Sequence, residues 1–258
     1  QQVFDSASTG CPWVADGVVY VVTGIAVGWA IDTSNGRIVW QVLGALGDGG
    51  FDGGPAPAFA DALVIFPFSS GQMIAVARGT GARAWVASVA GERADRAFSS
   101  YADLTGDPVV VENTVYAGNH SGRAGAFDTA TGRPVWRANE GTLSPVWVAG
   151  GAAFLISDEN RLIRLDAATG ETIWAVDLPF YRRAKLKKRK AIFGHFGPIL
   201  AGGRLLLASD DKMLREYDPV TGALIATTPL PDKAARNPIV AGGTLYIVTD
   251  KGELHAFR

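Results

Sequence analysis

One cysteine, three histidines and two methionines among 258 residues leave little material for sulfur or imidazole chemistry. A disulfide framework, a cysteine-bound zinc and an iron–sulfur cluster each need several thiolates held together, so all three are excluded. With three histidines, His-rich metal chemistry is disfavoured too. Charge is scarce, at 19 % Asp, Glu, Lys and Arg, and balanced at a net −1. A general nucleic-acid binder needs a basic excess for its phosphate contacts, and the balance lacks one. No apolar run reaches the roughly 20 residues of a helical membrane span. The best, Val18 to Ile31, has 14 residues and is interrupted by Thr23, Gly24 and Gly28. The chain opens on Gln1-Gln2 without an apolar leader, which reads as a processed or cut form.

What the chain does contain is apolar and glycine-rich: 48 % hydrophobic residues, 32 Gly and 13 Pro. That composition is globular, far from disorder. Self-comparison shows why glycine is so frequent. A nine-residue pattern recurs as Asp32-Thr-Ser-Asn-Gly36-Arg-Ile-Val-Trp40, Asp128-Thr-Ala-Thr-Gly132-Arg-Pro-Val-Trp136, Asp166-Ala-Ala-Thr-Gly170-Glu-Thr-Ile-Trp174 and Asp218-Pro-Val-Thr-Gly222-Ala-Leu-Ile-Ala226, with a degenerate copy at Gly79-Thr80-Gly81-Ala-Arg-Ala-Trp85. The five glycines are 45, 51, 38 and 52 residues apart, the period of a four-stranded propeller blade. Each residue of the pattern has a mechanical role. The Asp accepts N–H groups of the turn, the Gly supplies positive φ, and Trp40, Trp85, Trp136 and Trp174 carry apolar surface for burial between neighbouring sheets.

A second anchor lies in each unit, a proline opening a short apolar strand at Pro12, Pro57, Pro108, Pro145, Pro198 and Pro238. Six anchors predict six units, and the β-branched run after each turn predicts a hairpin partner. The expected fold is therefore an all-β propeller of four-stranded antiparallel blades, a single domain over residues 1–258. Phe4 occupies a Trp-like slot, and the N-terminus reads as an orphan outer strand, either completing the last blade or left from a preceding one.

Two segments stand outside this architecture. Residues 182–190 hold Arg182, Arg183, Lys185, Lys187, Lys188, Arg189 and Lys190 with no acid, leaving 17 basic and 25 acidic residues elsewhere. By default such a run is a solvated excursion; its functional reading is a docking patch for an acidic partner face or for anionic lipid headgroups. The glycine-rich stretch from Leu43 to Pro55 places Leu46 and Phe51 where no strand is evident, either folded back on the rim or offered as apolar anchors for a partner. Cys11, beside the repeated proline, reads as a buried structural thiol.

Leu104-Thr-Gly-Asp-Pro-Val-Val-Val-Glu-Asn-Thr-Val-Tyr116, Ser144-Pro-Val-Trp-Val-Ala-Gly150, Gly197-Pro-Ile-Leu-Ala-Gly-Gly-Arg-Leu205 and the ending from Gly242 to Arg258, set among the recurring Asp-x-x-Thr-Gly turns, resemble the BamB family of PQQ-like repeat propellers, in an alphaproteobacterial style. The resemblance implies a non-enzymatic scaffold on the periplasmic face of the outer membrane. It would be lipid-anchored, bind the POTRA domains of a BamA-like barrel subunit, assist unfolded outer-membrane clients, and use no cofactor, metal or nucleic acid. It also implies eight blades, so roughly two, about 80 to 90 residues, would lie upstream. Two alternatives belong to other classes. A PQQ- and calcium-dependent dehydrogenase would by resemblance need an adjacent Cys pair, which is missing. A small-ligand sensor would need a polar funnel, whereas the first strands are mostly Val, Ile, Ala and Pro.

Overall fold

The computed structural model describes residues 4, 6–47, 54–89, 103–183, 185, 187 and 189–258. Six antiparallel sheets carry them, each a meander in chain order. The first holds β1 (Trp13–Ala15), β2 (Val18–Thr23), β3 (Val27–Asp32) and β4 (Ile38–Leu43); the second β5 (Ala58–Ala60), β6 (Leu63–Pro67), β7 (Gln72–Ala77) and β8 (Arg83–Ser88); the third β9 (Val109–Val111), β10 (Thr114–Gly118), β11 (Ala124–Asp128) and β12 (Pro134–Ala138). The fourth holds β13 (Trp147–Ala149), β14 (Ala152–Ile156), β15 (Arg161–Asp166) and β16 (Thr172–Asp177); the fifth β17 (His195–Ala201), β18 (Arg204–Ser209), β19 (Met213–Tyr217) and β20 (Leu224–Pro229); the sixth β21 (Ile239–Ala241), β22 (Thr244–Val248) and β23 (Leu254–Phe257). Sheets one to three lie in one compact unit, Gln1–Val146, and sheets four to six in another, Trp147–Arg258.

The period of two along a strand explains how each unit packs. Side chains alternate between faces, so an inner strand apolar at every position feeds two cores at once. In the first unit Val64 and Phe66 of β6, with Ile74 and Val76 of β7, pack toward Tyr20, Val22 and Ala30 of the first sheet. Their neighbours Ile65, Met73 and Ala75 pack toward Val115, Ala117 and Phe127 of the third. In the second unit Leu205 and Leu207 of β18 join Phe154 and Ile156, while Ala208 and Leu206 face Ile247 and Leu245. Phe66, Ile65, Met73, Leu205 and Leu207 are fully enclosed, each such burial contributing about 1.5–3 kcal/mol.

The recurring Asp-x-x-Thr-Gly turn is built as its residue types require. Asp32, Asp128, Asp166 and Asp218 accept the N–H of Ser34, Thr131, Thr169 and Thr221 at 2.7–2.9 Å. Their own carbonyls accept the N–H of Gly36, Gly132, Gly170 and Gly222 at 2.8–2.9 Å. Between this turn and the Trp, the ladder slips by one residue in all five four-stranded sheets, between Ala30 and Ile31, Ala75 and Val76, Ala126 and Phe127, Arg164 and Leu165, and Glu216 and Tyr217. The bulge bends the outer strand and re-aims the next side chain.

That side chain then locks onto the following sheet. Trp40 donates its indole N–H to the Arg78 carbonyl (2.9 Å), Trp85 to Thr129 (2.7 Å) and Trp174 to Val220 (3.0 Å). All three acceptors lie in the next sheet's turn. The indole plane lies against the glycine of that same turn: a Cβ on Gly81, Gly132 or Gly222 would come within 2.7, 2.6 and 2.9 Å of Trp40, Trp85 and Trp174. Each glycine thus serves twice, taking a positive φ near 70° and leaving room for a neighbour's ring. Trp136 is buried and packs 6.0 Å from the Tyr116 ring within its own sheet.

One expectation needs correcting. Cys11 is exposed. The residue before the repeated proline is buried at Ala56 and exposed at Asp107, so the repeat position does not by itself dictate burial. Phe4 packs on Trp29 of the first sheet at 5.3 Å; residues 1–3, the rest of the segment read as an orphan strand, lie outside the described residues, and the sixth sheet has three strands among the described residues.

Two measurements test the turn. Gly36 and Gly132 share nearly the same φ, 71° and 68°, but a Cβ at Gly36 meets nothing within 4 Å. Gly36→Ala should therefore cost about 1 kcal/mol, the backbone penalty alone, and Gly132→Ala about 3 kcal/mol, because Trp85 must also shift. Equal losses in urea unfolding would mean the indole contact contributes nothing. The hydrogen bonds from Ser34, Thr131, Thr169 and Thr221 hold the four turn carboxyls below the usual Asp range. A depressed folded pKa stabilises above the unfolded value, about 3.9, and that contribution disappears as pH falls through the folded value. Replacing all four with Asn should flatten the decline in urea midpoint below about pH 4.

Candidate interaction surface

The turn joining the second and third strands recurs with its fourth residue at positive φ: Ala26, Gly71, Gly122, Asn160, Lys212 and Gly252. The carbonyl of that residue receives the chain as it leaves the fourth strand, from Gly44 to Ala26 (2.8 Å), Val89 to Gly71 (3.0 Å), Leu178 to Asn160 (2.9 Å) and Leu230 to Lys212 (2.8 Å). In these four sheets the long connections therefore depart from this end, where loops can vary while the sheets stay fixed.

In the first unit the Leu46 connection lies flat on the second sheet. A Cβ on Gly44 would come within 2.6 Å of the Phe68 ring, and one on Gly47 within 2.3 Å of the Ser69 carbonyl. Gly47 also donates its N–H to Ser69 Oγ at 3.2 Å. Between these pinned glycines Leu46 is 65 % exposed. It borders a cavity of about 230 Å³ whose walls include Val22, Phe68 and Leu104 beside Thr23, Ser69 and Asp103. Phe51, the other apolar residue singled out on this stretch, lies outside the described residues.

In the same unit, the residue before one repeated proline contacts its counterpart in the preceding sheet. Asp107 Oδ1 accepts the Ala56 N–H at 2.7 Å; its side chain remains partly open to solvent, and the desolvation it does undergo pushes its carboxyl up against the opposing effect of that bond. In the second unit Asn237 Oδ1 accepts the Gly197 N–H at 2.8 Å. The carboxylate and the amide oxygen make the same bond at equivalent positions, so Asp107, like Asn237, clamps neighbouring strands.

The second unit carries the basic connection as a hairpin rooted in a hydrogen-bonded base. Arg182 ion-pairs with Asp210 and donates Nε–H to the Ile192 carbonyl at 2.9 Å. Arg183, Lys185 and Lys187 are exposed, and Lys188 lies outside the described residues. Beneath the base sits an arrangement that sequence spacing does not reveal: His195 Nδ1 is 2.6 Å from Ser209 Oγ, and His195 Nε2 is 2.8 Å from the Pro179 carbonyl. A carbonyl only accepts, so Nε2 carries the proton and Nδ1 receives the serine hydroxyl. Burial pulls the imidazole below its ordinary pKa, and Arg215 adds to this against the bond to Pro179. Ser209 is completely enclosed and Arg215 Nη1 also reaches its Oγ at 3.1 Å. The pair therefore has the contacts of a Ser–His dyad but no access for a substrate; it ties the hairpin base to β18. Beside it, hydrogen bonds from Lys251 and Lys212 hold the Asp232 carboxyl far below the usual range. Among the described residues no three His, Cys, Asp or Glu side chains converge as a metal site.

Residues 1–176 and 183–258 match the family model described as outer membrane protein assembly factor BamB. The chain belongs to this family. An outer membrane protein assembly factor BamB from Legionella pneumophila is 25 % identical over 200 residues, 78 % of this chain and 49 % of that protein. The chain thus spans about half the length of this relative. The crystal structure of BamB from Moraxella catarrhalis superposes with a TM-score of 0.83 at 20 % identity, over 98 % of this chain and 73 % of that one. A quinohemoprotein alcohol dehydrogenase from Pseudomonas putida superposes with a TM-score of 0.63 at 20 % identity, over 88 % and 42 %. These likenesses establish the fold: the sheets are β-propeller blades. The BamB match is interrupted at 177–182, where the chain enters the basic hairpin.

If His195 fastens the hairpin base, His195→Ala should loosen that base without unfolding the sheets. Amide exchange at Arg182 and Phe193 should accelerate about ten-fold, the equivalent of one lost hydrogen bond, while amides of β14 stay protected. Unchanged exchange at both positions would remove that role.

Proposed function

We propose that this chain is part of a non-enzymatic scaffold for the assembly of outer-membrane β-barrel proteins. It works at the periplasmic face of the outer membrane within a longer, lipid-anchored protein, and it engages the POTRA domains of a BamA-like barrel subunit and assists unfolded clients. The family match over nearly the whole chain carries the reading. The sealed Ser209–His195 pair supports a structural rather than catalytic use of the chain's polar groups.

Leu46 is the anchor we assign to this role. A leucine held open between two pinned glycines, beside a cavity with mixed apolar and polar walls, loses little conformational freedom on binding and has surface to bury. Phe51, on the same stretch, is proposed as its companion.

Purified POTRA domains of the barrel subunit should be captured by the immobilised chain. Leu46→Asp should weaken that capture about thirty-fold, the effect of losing one hot-spot side chain of about 2 kcal/mol. Undiminished capture would take Leu46 out of the interface. A wild-type chain that captures nothing would overturn the scaffold reading itself.

A further inference from the structure

The connection between β16 and β17 is unlike any other part of the chain. Seven cations fall between positions 182 and 190, and no Asp or Glu occurs from 178 to 209. Its base is rigid. Tyr181 and Ile192 form an isolated antiparallel bridge, Arg182 donates its N–H to Ala191 (2.9 Å) and Phe193 to Phe180 (2.8 Å). Asn160 Nδ2 holds the Phe193 and Pro179 carbonyls at 2.9 and 3.3 Å.

The cations are not equivalent. Arg182 belongs to the base, paired with Asp210 and lying 5.8 Å over the Phe193 ring. Arg189 lies 5.0 Å over the Tyr181 ring. Arg183, Lys185, Lys187 and Lys190 are exposed and have no ion pair with a described residue. At the base, next to these charges, Tyr181 and Ile192 are 41 % and 47 % exposed.

We propose that this hairpin docks the protein on an anionic phospholipid surface, with the free lysines and Arg183 among the headgroups and Tyr181 and Ile192 at the level of the interface. The inference stands on the hairpin alone and does not depend on the scaffold reading. Recognition of an acidic protein face favours guanidinium groups oriented for bidentate pairing. Here the oriented guanidinium, Arg182, turns inward to Asp210, and four of the seven cations are lysines, flexible point charges suited to a laterally mobile array of headgroups. An amphipathic tyrosine and an exposed isoleucine beside cations of one sign complete an interfacial pattern.

Flotation of the full chain with phosphatidylcholine vesicles, with and without phosphatidylglycerol, tests it. Binding should require the anionic lipid, fall as salt shortens the Debye length, and persist in millimolar inorganic phosphate. Lys185→Gln, Lys187→Gln and Lys190→Gln together should lower partitioning about a hundred-fold, near five-fold per charge, with an unchanged thermal melt showing that the sheets are intact. Tyr181→Ser with Ile192→Ser should weaken vesicle binding but leave binding to soluble polyglutamate unchanged. Equal binding to neutral vesicles, full binding by the triple variant, or vesicle binding that follows polyglutamate binding through every variant would each overturn the proposal.

Discussion

The contact between an outer-strand tryptophan and the glycine of the next sheet's turn is what the rest of the fold depends on. A four-stranded sheet apolar on both faces has no stable existence alone; its burial is supplied by neighbours. Trp40, Trp85 and Trp174 fix how each neighbour approaches, because the ring fits only where a Cβ is missing and the indole N–H has one carbonyl within reach. The bulge before each tryptophan aims the ring at that point. Three local devices therefore converge on one joint.

The degenerate copy shows which of these devices is indispensable. Ala77 stands in the Asp slot of the second sheet, so no side-chain carboxylate caps that turn. The backbone turn still closes through Gly81 N–H to the Ala77 carbonyl at 2.8 Å, and Trp40 still finds Gly81 and the Arg78 carbonyl. The carboxylate reinforces the turn; the glycine and the tryptophan make the joint. The fifth sheet shows the converse. Ala226 fills the Trp slot of β20, whose side chains are mostly exposed, and packing toward the sixth sheet is carried by Ala208, Leu214, Leu230, Ala234 and Ile247.

Periodicity and turn chemistry are enough to read six units, their inner strands and the inter-sheet tryptophans from sequence, because those signals are local and repeated. The features that sequence does not reveal depend on residues far apart in the chain. Asp107 clamps Ala56 and Asn237 clamps Gly197 from about one blade away, and nothing in an isolated Asp-Pro or Asn-Pro pair announces the partner. His195 meets Ser209 and Pro179 only because a hairpin and a connection return to the same place. The exposure of Cys11 is a further case: the position before the repeated proline is buried at Ala56 and exposed at Asp107, so it carries no burial signal of its own. On the candidate surface, Leu46 is legible as an apolar residue without a strand, but the pinning by Gly44 and Gly47 that holds it open is not.

Formal charge conceals how the surface presents itself. Asp32, Asp128, Asp166 and Asp218 face backbone N–H groups inside turns, and Asp210, Asp211 and Asp232 are engaged by Arg182, Arg215, Lys212 and Lys251. Asp210, Asp211 and Asp232 are thus each answered by a cation within ion-pair distance, where the field of the pair is largely cancelled. The hairpin differs: Arg182 is answered by Asp210, but Arg183, Lys185, Lys187 and Lys190 have no ion pair with a described residue. A chain with a net charge of −1 thus carries a concentrated positive feature at this hairpin. Electrostatic attraction acts over about 10 Å at moderate salt, so a partner approaching the second unit at this hairpin meets the local charge and not the sum.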